Sequence, residues 1–451
     1  MINTVSDEFL HIGFDDTDSR VGRCTTHLAF KITSYLLKEP SVEFIDYPLL
    51  IRLNPNIPWK TRGNGAVCLR IKAKNHERII YYIKQSIEVG SAINEGANPT
   101  VAFFSGDQIP EGIKRFSRTA MFDILSREKA KKIAKENCIQ YFTFGNGQGL
   151  VGSLGAIGCL LDKDYTFEVI AYRRPENYGT KRILNIPRVI EYDKHTYPHT
   201  FNNYDHYHQR VLIAPHGSDP IFCGIRGEKP EVIVSYLEML HIQEKLDGYM
   251  VFRSNQGTNM HLQNEFKLSK IKPFMAGYLN CKINLKPYSI HGGHVLFAVQ
   301  DSTGIIYPAC VYEPTGLTNI ASLLQVGDYI RIGYGVRKAT SIFPRILNIE
   351  YLHVLELNNA YDMVNPLCKF CNKRMKSEGR NKGFQCPKCK HKEIGSKIAV
   401  LKNRNLKTGL YIPTPKSRRH LTKPMHRYGI EKTYFALKDE ISHTCFFSRN
   451  D

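Results

Sequence analysis

The stretch HIGFDDTDSRVGRCTTHLAFKI, residues 11–32, closes an apolar run with Asp15, Asp16 and Asp18 and then opens an amphipathic one at Cys24-Thr25-Thr26. FLHIGF has strand composition, and TTHLAFKITSYLL places Leu28, Ile32, Tyr35 and Leu36 at helical spacing. Strand, acidic turn and helix are therefore expected as one unit. Carboxylates so close together repel one another, and at a strand end their recurrent use is oxygen ligation of Mg²⁺ beside phosphates. Thr25 and Thr26 stand where N-cap hydroxyls belong, which would aim the helix amides at the same place. The alternative is an Asx-turn with solvated acids and an ordinary threonine cap.

Outward from this unit, residues 1–195 read as α/β: VCLRIKA and VAFFSG are strand-like, HERIIYYIKQSI and REKAKKIAKEN helical, and DYTFEVIAYRR strand-like again. Residues 196–270 form a second, α+β unit, with the helix EVIVSYLEMLHIQEKL between RVLIAPH and YMVFRSN. From 271 to 358 five short strands with one helix after the third follow the element order of an OB barrel, though other five-stranded barrels read similarly. Residues 359–451 are a basic C-terminal segment. The fold class expected is a multidomain α+β chain.

The 451 residues are 42% hydrophobic and 11% aromatic, enough for several cores, and carry a net charge of +20. A surplus of that size suits a polyanionic partner. It is unevenly placed: residues 359–451 hold 21 Lys and Arg against 7 Asp and Glu, an electrostatic footprint or else a solvated tail. The start MINTVSDEFLHIG has no signal-peptide pattern, and the most apolar stretch, LVGSLGAIGCLL, is short and broken by glycine. A soluble cytoplasmic protein with no membrane partner is expected.

Cys368, Cys371, Cys386 and Cys389 form C-x2-C-x14-C-x2-C. Two such knuckles can set four thiolates tetrahedrally around one structural Zn²⁺ with no open position for catalysis. Nine Lys and Arg between Lys369 and Lys392, with Phe370 and Phe384 interleaved, suit phosphates and stacked bases. The alternative is a ribbon that only holds other domains together.

Two further loops bear glycine between strand-like segments: KTRGNGAV (Lys60, Arg62, Gly63, Asn64, Gly65) and EGANP (Glu95 to Pro99). GNGQGLVGSLGAIG contains G-x-G-x-x-G at Gly147, Gly149 and Gly152, and fits a close-packed glycine-lined helix as well as a phosphate cradle. No P-loop pattern exists, which excludes a P-loop NTPase. HTYPHTFNNYDHYHQR, with His195, His199, His206 and His208, suits no helical face and reads as an exposed linker.

The strings IGFDDTDS-x4-CTT, KTRGNGAV, EGANP, GIRGE, VFRSNQGTNMHL, GGHVLFAVQDSTG and YEPTGL, in this order ahead of a four-cysteine ribbon, closely resemble the archaeal tRNA 2-agmatinylcytidine synthetases from about residue 10 to about 395. The resemblance implies an ATP-dependent ligase that attaches agmatine to the wobble cytidine of the CAU-anticodon isoleucine tRNA, so that AUA is read as isoleucine, with ATP ending as AMP and phosphate released. It implies a kinase-like catalytic domain (1–195), a ferredoxin-like domain (196–270), an OB-fold (271–358) and a zinc ribbon with a basic C-terminal segment (359–451). Asp15, Asp16 and Asp18 would hold Mg²⁺ and triphosphate, and Thr25 would be an autophosphorylated threonine. Thr17, Ser19, Thr26, Lys60, Arg62, Gly63, Asn64, Gly65, Gly147 and Gly149 would form the nucleotide or cytosine pocket. Agmatine would meet Asp15, Asp18 and the loop Asn255, Gln256, Gly257, Thr258. Asn259 departs from the acid expected after that loop, and the last fifty residues lie beyond the resemblance; they are expected to hold the acceptor or anticodon region of the tRNA, so that deleting them would weaken binding and flatten its salt dependence.

The rival function is a non-catalytic RNA-binding module built on barrel and ribbon. A protein kinase or nuclease using the same turn is disfavoured, because neither a kinase Gly-rich loop with its HRD-type segment nor a histidine-rich metal motif appears. The acidic turn separates catalysis from binding, since passive RNA binding gains nothing from clustered carboxylates.

Overall fold

The computed structural model describes residues 9–20, 22–61, 63–215, 217, 220–341, 344–359, 361–433 and 442–450. Its first body is one large sheet. The strands are β1 (Phe9–Asp15), β2 (Val42–Phe44), β3 (Leu49–Arg52), β4 (Gly65–Ala73), β5 (Thr100–Ser105), β6 (Gln140–Thr143), β7 (Thr166–Arg173) and β8 (Thr200–Phe201). A small hairpin, β9 (Tyr204–Asp205) with β10 (Arg210–Val211), precedes β11 (Ile221–Gly227) and β12 (Leu246–Ser254). The order is β6-β5-β1-β4-β3-β12-β7-β11-β8, with β3 and β12 parallel. One apolar core runs through it from Leu10 to Phe252, and the expected domain boundary at 195/196 falls within a helix of this body.

The helices are α1 (Thr25–Leu36), α2 (His76–Gly90), α3 (Glu111–Ala120), α4 (Arg127–Glu136), α5 (Gly149–Gly158), α6 (Ile186–Thr196) and α7 (Pro230–Met239). On β1, residues alternate between faces. Leu10, Ile12 and Phe14 are fully buried on one. Gly13 and Asp15 face α5, where a Cβ on Gly13 would stand 2.3 Å from the Ser153 carbonyl. The glycines of α5 let it lie directly on the sheet, so the glycine run is a packing device.

The second body is a barrel of β13 (Ala276–Ser289), β14 (Val295–Gln300), β15 (Ile306–Val311), β16 (Tyr329–Arg337) and β17 (Ile346–Glu356), in the order β15-β14-β13-β16-β17 and closed by a parallel β15–β17 pair. A short helix, α8 (Thr318–Ser322), lies between its third and fourth strands. Beyond it the ladder of β18 (Tyr361–Val364) carries three short strands, β19 (Lys376–Ser377), β20 (Phe384–Gln385) and β21 (Lys392–Glu393), and is closed by β22 (Ile398–Leu401). This ribbon has its own small core of Cys368, Met375, Phe384 and Cys386. Phe384 is therefore an interior residue and not a face for bases, whereas Phe370 is 69% exposed.

The basic C-terminal segment is no solvated tail. β23 (Gly409–Tyr411) extends the barrel beside β17, residues 415–433 run back over the first body, and β24 (Phe447–Arg449) pairs with β12. Much of its charge is spent internally. Arg404 pairs with Asp328, Lys423 with Asp164 and Glu431, Arg427 with Asp164 and Glu228, and Lys432 with Glu228. Buried cations survive only when paired in this way. The nine ribbon cations, by contrast, are exposed, so within this segment the exposed positive charge lies mainly on the ribbon.

The histidine segment is exposed at its four histidines, as expected, but is not a linker. It carries the end of α6, β8 and the β9–β10 hairpin, with Asn203 and Asp205 fully buried, and two of its histidines are tied to acids: His206 to Asp193 and His208 to Asp205, each at 2.9 Å.

Candidate active site

β1 ends at Asp15, and the chain leaves the strand because Asp16 adopts φ 58°, a left-handed conformation costly for a residue with a Cβ. The carboxylate of Asp15 lies on the first turns of α5; a Cβ on Gly152 would fall 1.8 Å from its Oδ2. Gly149 is as tightly held: a Cβ there would stand 2.7 Å from the Asp15 carbonyl oxygen and the Thr100 amide nitrogen. Burial, and then the charges of Asp16 and Asp18, push the Asp15 carboxyl well above the usual carboxylate range. Burial and Asp18 push Asp16 up to about 6. These are acids held together against their own electrostatics.

The three do not converge on one point. Among the described residues only the four cysteines bring three or more candidate metal-binding atoms within reach of a single ion. Asp15 and Asp16 line a small cavity with Trp59, Lys60, Thr61, Asn64 and Gln148. Asp18 accepts a hydrogen bond from Thr61 Oγ1 at 2.7 Å and faces a second cavity of ≈ 280 Å³. The segment from Lys60 to Gly65 is the wall between them, with Arg62 outside the described residues. Ser19 donates to Glu95, which ties the EGANP loop to the turn.

The helix start differs from the sequence expectation. Cys24 is the N-cap of α1, extended at φ −165° and without a side-chain cap bond, so Thr25 and Thr26 are the first helical residues. Their hydroxyls go elsewhere: Thr17 donates to Thr25 Oγ1 at 3.0 Å, and Thr26 meets Cys24 Sγ at 3.1 Å. The helix N-terminus still faces the larger cavity, which Cys24, Thr25 and Thr26 line.

Opposite stand residues that sequence reasoning missed. Glu168 on β7 is buried, with Arg226 Nε 3.0 Å and Arg52 Nη2 3.7 Å from its carboxylate, and it also accepts from Gln256 Nε2. One acid beneath two guanidiniums orients both and leaves a net positive wall. His420, from the C-terminal segment, completes it. Gly63 and Gly65 are glycines for a packing reason: a Cβ at Gly63 would stand 2.6 Å from Arg52 Nη1 and 2.8 Å from the His420 ring, and one at Gly65 would stand 2.8 Å from Arg52 Nη1. The string GIRGE contained the signal for Arg226. Nothing local marked Arg52, Glu168 or His420, which meet only in the folded sheet.

The loop Asn255–Thr258 lies behind this wall. Asn255 accepts from the Arg52 amide at 2.8 Å and donates to the Arg52 carbonyl at 2.9 Å, and Thr258 Oγ1 donates to the Asn255 carbonyl. None of the four lines the cavity. Asn259 is a clasp for the C-terminal segment, accepting from the Lys423 amide and donating to Tyr428 Oη. In the ribbon the cysteine sulfurs all lie within 4.8 Å of one another, which fits tetrahedral thiolate ligation of Zn²⁺.

This arrangement can be set beside known proteins. The TiaS TCKD domain model matches residues 11–88, the TiaS FLD domain model 147–261 and the TiaS C-terminal zinc ribbon domain model 365–406. The tRNA(Ile2) 2-agmatinylcytidine synthetase of Cenarchaeum symbiosum is 40% identical over 420 residues, 93% of each chain. The chain belongs to the tRNA(Ile2) 2-agmatinylcytidine synthetase family. The synthetase of Methanosarcina mazei is 37% identical over 92% of this chain and 97% of its own. Among solved synthetases, the TiaS–tRNA(Ile2)–ATP complex is similar with TM-score 0.84 at 32% identity, covering 96% of this chain and all of that one. The TiaS–tRNA(Ile2)–AMPCPP–agmatine complex gives 0.80 at 29%, over the same shares. The acidic turn lies within the synthetase TCKD match, Glu168 and Arg226 within the FLD match, and the four cysteines within the ribbon match. His420 lies beyond all three. No helix among the described residues is long and apolar enough to cross a membrane.

Proposed function

We propose that the protein attaches agmatine, at the expense of ATP, to carbon 2 of the wobble cytidine of the CAU-anticodon isoleucine tRNA. The observation that carries this reading is a cavity in which Asp18 and the N-terminus of α1 face the Arg52–Arg226 wall, with the self-repelling Asp15 and Asp16 in the adjoining cavity. Family membership supplies the substrates: relatives named as synthetases have been solved with tRNA(Ile2), ATP and agmatine.

The C2 oxygen of cytosine is a poor leaving group. Transfer of a phosphoryl group forms an O–P bond there, agmatine's amine forms the C–N bond with loss of a proton, and the oxygen departs as phosphate. ATP ends as AMP. Arg52, Arg226 and Lys60 stabilise negative charge on the transferring group, and the first amides of α1 add to them. Thr25, held by Thr17, stands at the cavity as the phosphate-accepting hydroxyl. Thr26, Ser19, Gly63, Asn64 and Gly65 shape the nucleotide and base pocket, with Gly147 and Gly149 carrying the turn that seats α5.

Mg²⁺ fits the donor set, since Asp15 and Asp16 are raised by burial and mutual repulsion that a divalent cation relieves. It takes one or two carboxylates and fills its shell with phosphate oxygens, so Asp15 and Asp16 would hold it and Asp18 would flank it. When bound, it neutralises triphosphate charge. The loop Asn255–Thr258 acts on agmatine through the Arg52 and Glu168 it holds. The first body divides into a kinase-like part (to 195) and a ferredoxin-like part (196–270). The closed barrel with its helix after the third strand is an OB-fold, and the exposed ribbon cations meet tRNA phosphates. The enzyme works in the cytoplasm.

The test is incubation with the tRNA transcript, ATP, Mg²⁺ and agmatine, then mass spectrometry of the digested nucleosides. One cytidine gains agmatine. Asp16→Asn abolishes the gain and leaves tRNA affinity intact. A folded, tRNA-bound wild type that adds no mass is the RNA-binding module instead.

A further inference from the structure

His420 reaches the larger cavity from the C-terminal segment, some 160 residues in sequence from the loop it meets. Its protonation can be traced from bond to bond. Glu168, held by Arg226 and Arg52, accepts from Gln256 Nε2. That fixes the amide of Gln256 with Oε1 as acceptor, and Oε1 takes Arg226 Nε–H at 2.9 Å. His420 Nδ1, 3.0 Å from the same oxygen, must then carry its proton. Burial, followed by Arg52, Arg226 and Lys60, lowers the His420 pKa well below the ordinary value, so the ring is neutral. Nε2 is therefore a bare lone pair, and it has no hydrogen-bond partner among the described residues.

A neutral acceptor beside guanidinium donors is an unusual wall for a triphosphate, which offers acceptors only. It matches a ligand edge that presents a donor next to acceptors. Cytosine has this edge, with its exocyclic amine beside N3 and O2; uracil presents an acceptor where the amine would be. Agmatine also carries N–H donors, but it is cationic, and three cations surround this position.

Resting on the proposed function, we infer that His420 is a specificity-determining residue whose Nε2 accepts a hydrogen bond from the exocyclic amine of the target cytosine and so rejects uracil. Arg52 and Arg226 then face the ring acceptors, including the oxygen to be phosphorylated.

The experiment compares wild type, His420→Ala and His420→Gln on transcripts with cytidine or uridine at the wobble position, with agmatine incorporation read by mass spectrometry. The Michaelis constant for agmatine and the melting temperature are measured alongside. In His420→Ala the cytidine-to-uridine rate ratio falls roughly tenfold to a hundredfold, the size of one base-edge contact, with the agmatine constant and the melting temperature unchanged. Gln restores much of the ratio, because its Oε1 reaches the place of Nε2. An unchanged ratio in the Ala variant overturns the inference. So does a raised agmatine constant at unchanged ratio, which would give the lone pair to the amine, or an equal loss on both templates with lowered melting in both variants, which would make His420 a scaffold residue. Wild type that modifies neither template overturns the proposed function itself, and His420's role with it.

Discussion

Gly152→Ala tests whether the Asp15 carboxylate must sit where it does. The ideal Cβ at 152 lies 1.8 Å from Asp15 Oδ2 and 2.4 Å from its Cγ, where real Cβ atoms keep at least 3.0 Å. Gly152 lies within α5 and Asp15 ends a strand paired on both sides, so the side chain of Asp15 has to move, by more than 1 Å. A reacting geometry displaced by about 1 Å loses on the order of 10²-fold in rate, about 2.7 kcal/mol of barrier. Helix propensity works the other way, since Ala favours a helix interior over Gly by roughly 1 kcal/mol. Single-turnover agmatine transfer should therefore fall about a hundredfold while tRNA binding stays. Gly155→Ala is the matched control: its Cβ meets the flexible Leu53 Cδ2 at 3.0 Å and should cost little. A Gly152→Ala enzyme about as fast as the Gly155→Ala one, at equal melting temperature, refutes the placement of Asp15 in the chemistry.

Other perturbations address the frame. Glu350 on the barrel joins His261 of the first body at 2.9 Å and Arg419 of the C-terminal segment at 3.6 Å. Burial alone would raise its pKa, but Arg419 and His261 prevail and hold it at about 2. Its stabilisation, about 3 kcal/mol, is thus fully present above the ordinary 4.5 and lost as pH falls toward about 2; urea melts of Glu350→Gln should show a flatter acid limb than wild type. Arg427→Met leaves the buried Asp164 and half-buried Glu228 with Lys423 and Lys432 as their remaining cations among the described residues, and should cost about 3 kcal/mol in chemical unfolding. Zinc chelation, or Cys386→Ser, should release one ion as read by metal analysis and weaken tRNA binding. The main melting transition should not move, because the ribbon core is separate from the other two.

Legibility followed the range of the interactions. β1, α1, β4, α2, β5 and the barrel strands were readable because each carries its own periodicity. α5 was ambiguous because glycine gives no amphipathic signal; its reason lies across space, in Asp15 and Gly13. β3 and β11 were overlooked for want of alternation. The acidic turn and the cysteine ribbon announced themselves by composition. Arg52, Glu168 and Arg226 come from three strands, and only the order β3-β12-β7-β11 makes them neighbours. The threonine cap failed for a local reason: Cys24 took the half-in backbone position, which freed Thr25 to meet Thr17.

Net charge marked the right segment but not the right residues within it. The C-terminal surplus suggested a polyanion footprint, yet Arg427 is fully buried and Lys423 nearly so, each answering an acid of the first body. The segment that carries these cations also carries His420 into the cavity, and its backbone is tied to the loop that holds Arg52 through Gly257 N to His420 O at 2.8 Å and Asn259 N to Leu421 O at 2.8 Å. Buried ion pairs add little stability over a well-packed apolar core but penalise misregistration heavily. That is the property needed to return a distant segment to one position, so the internal charge of this segment serves the geometry of the site, while the ribbon keeps its cations exposed.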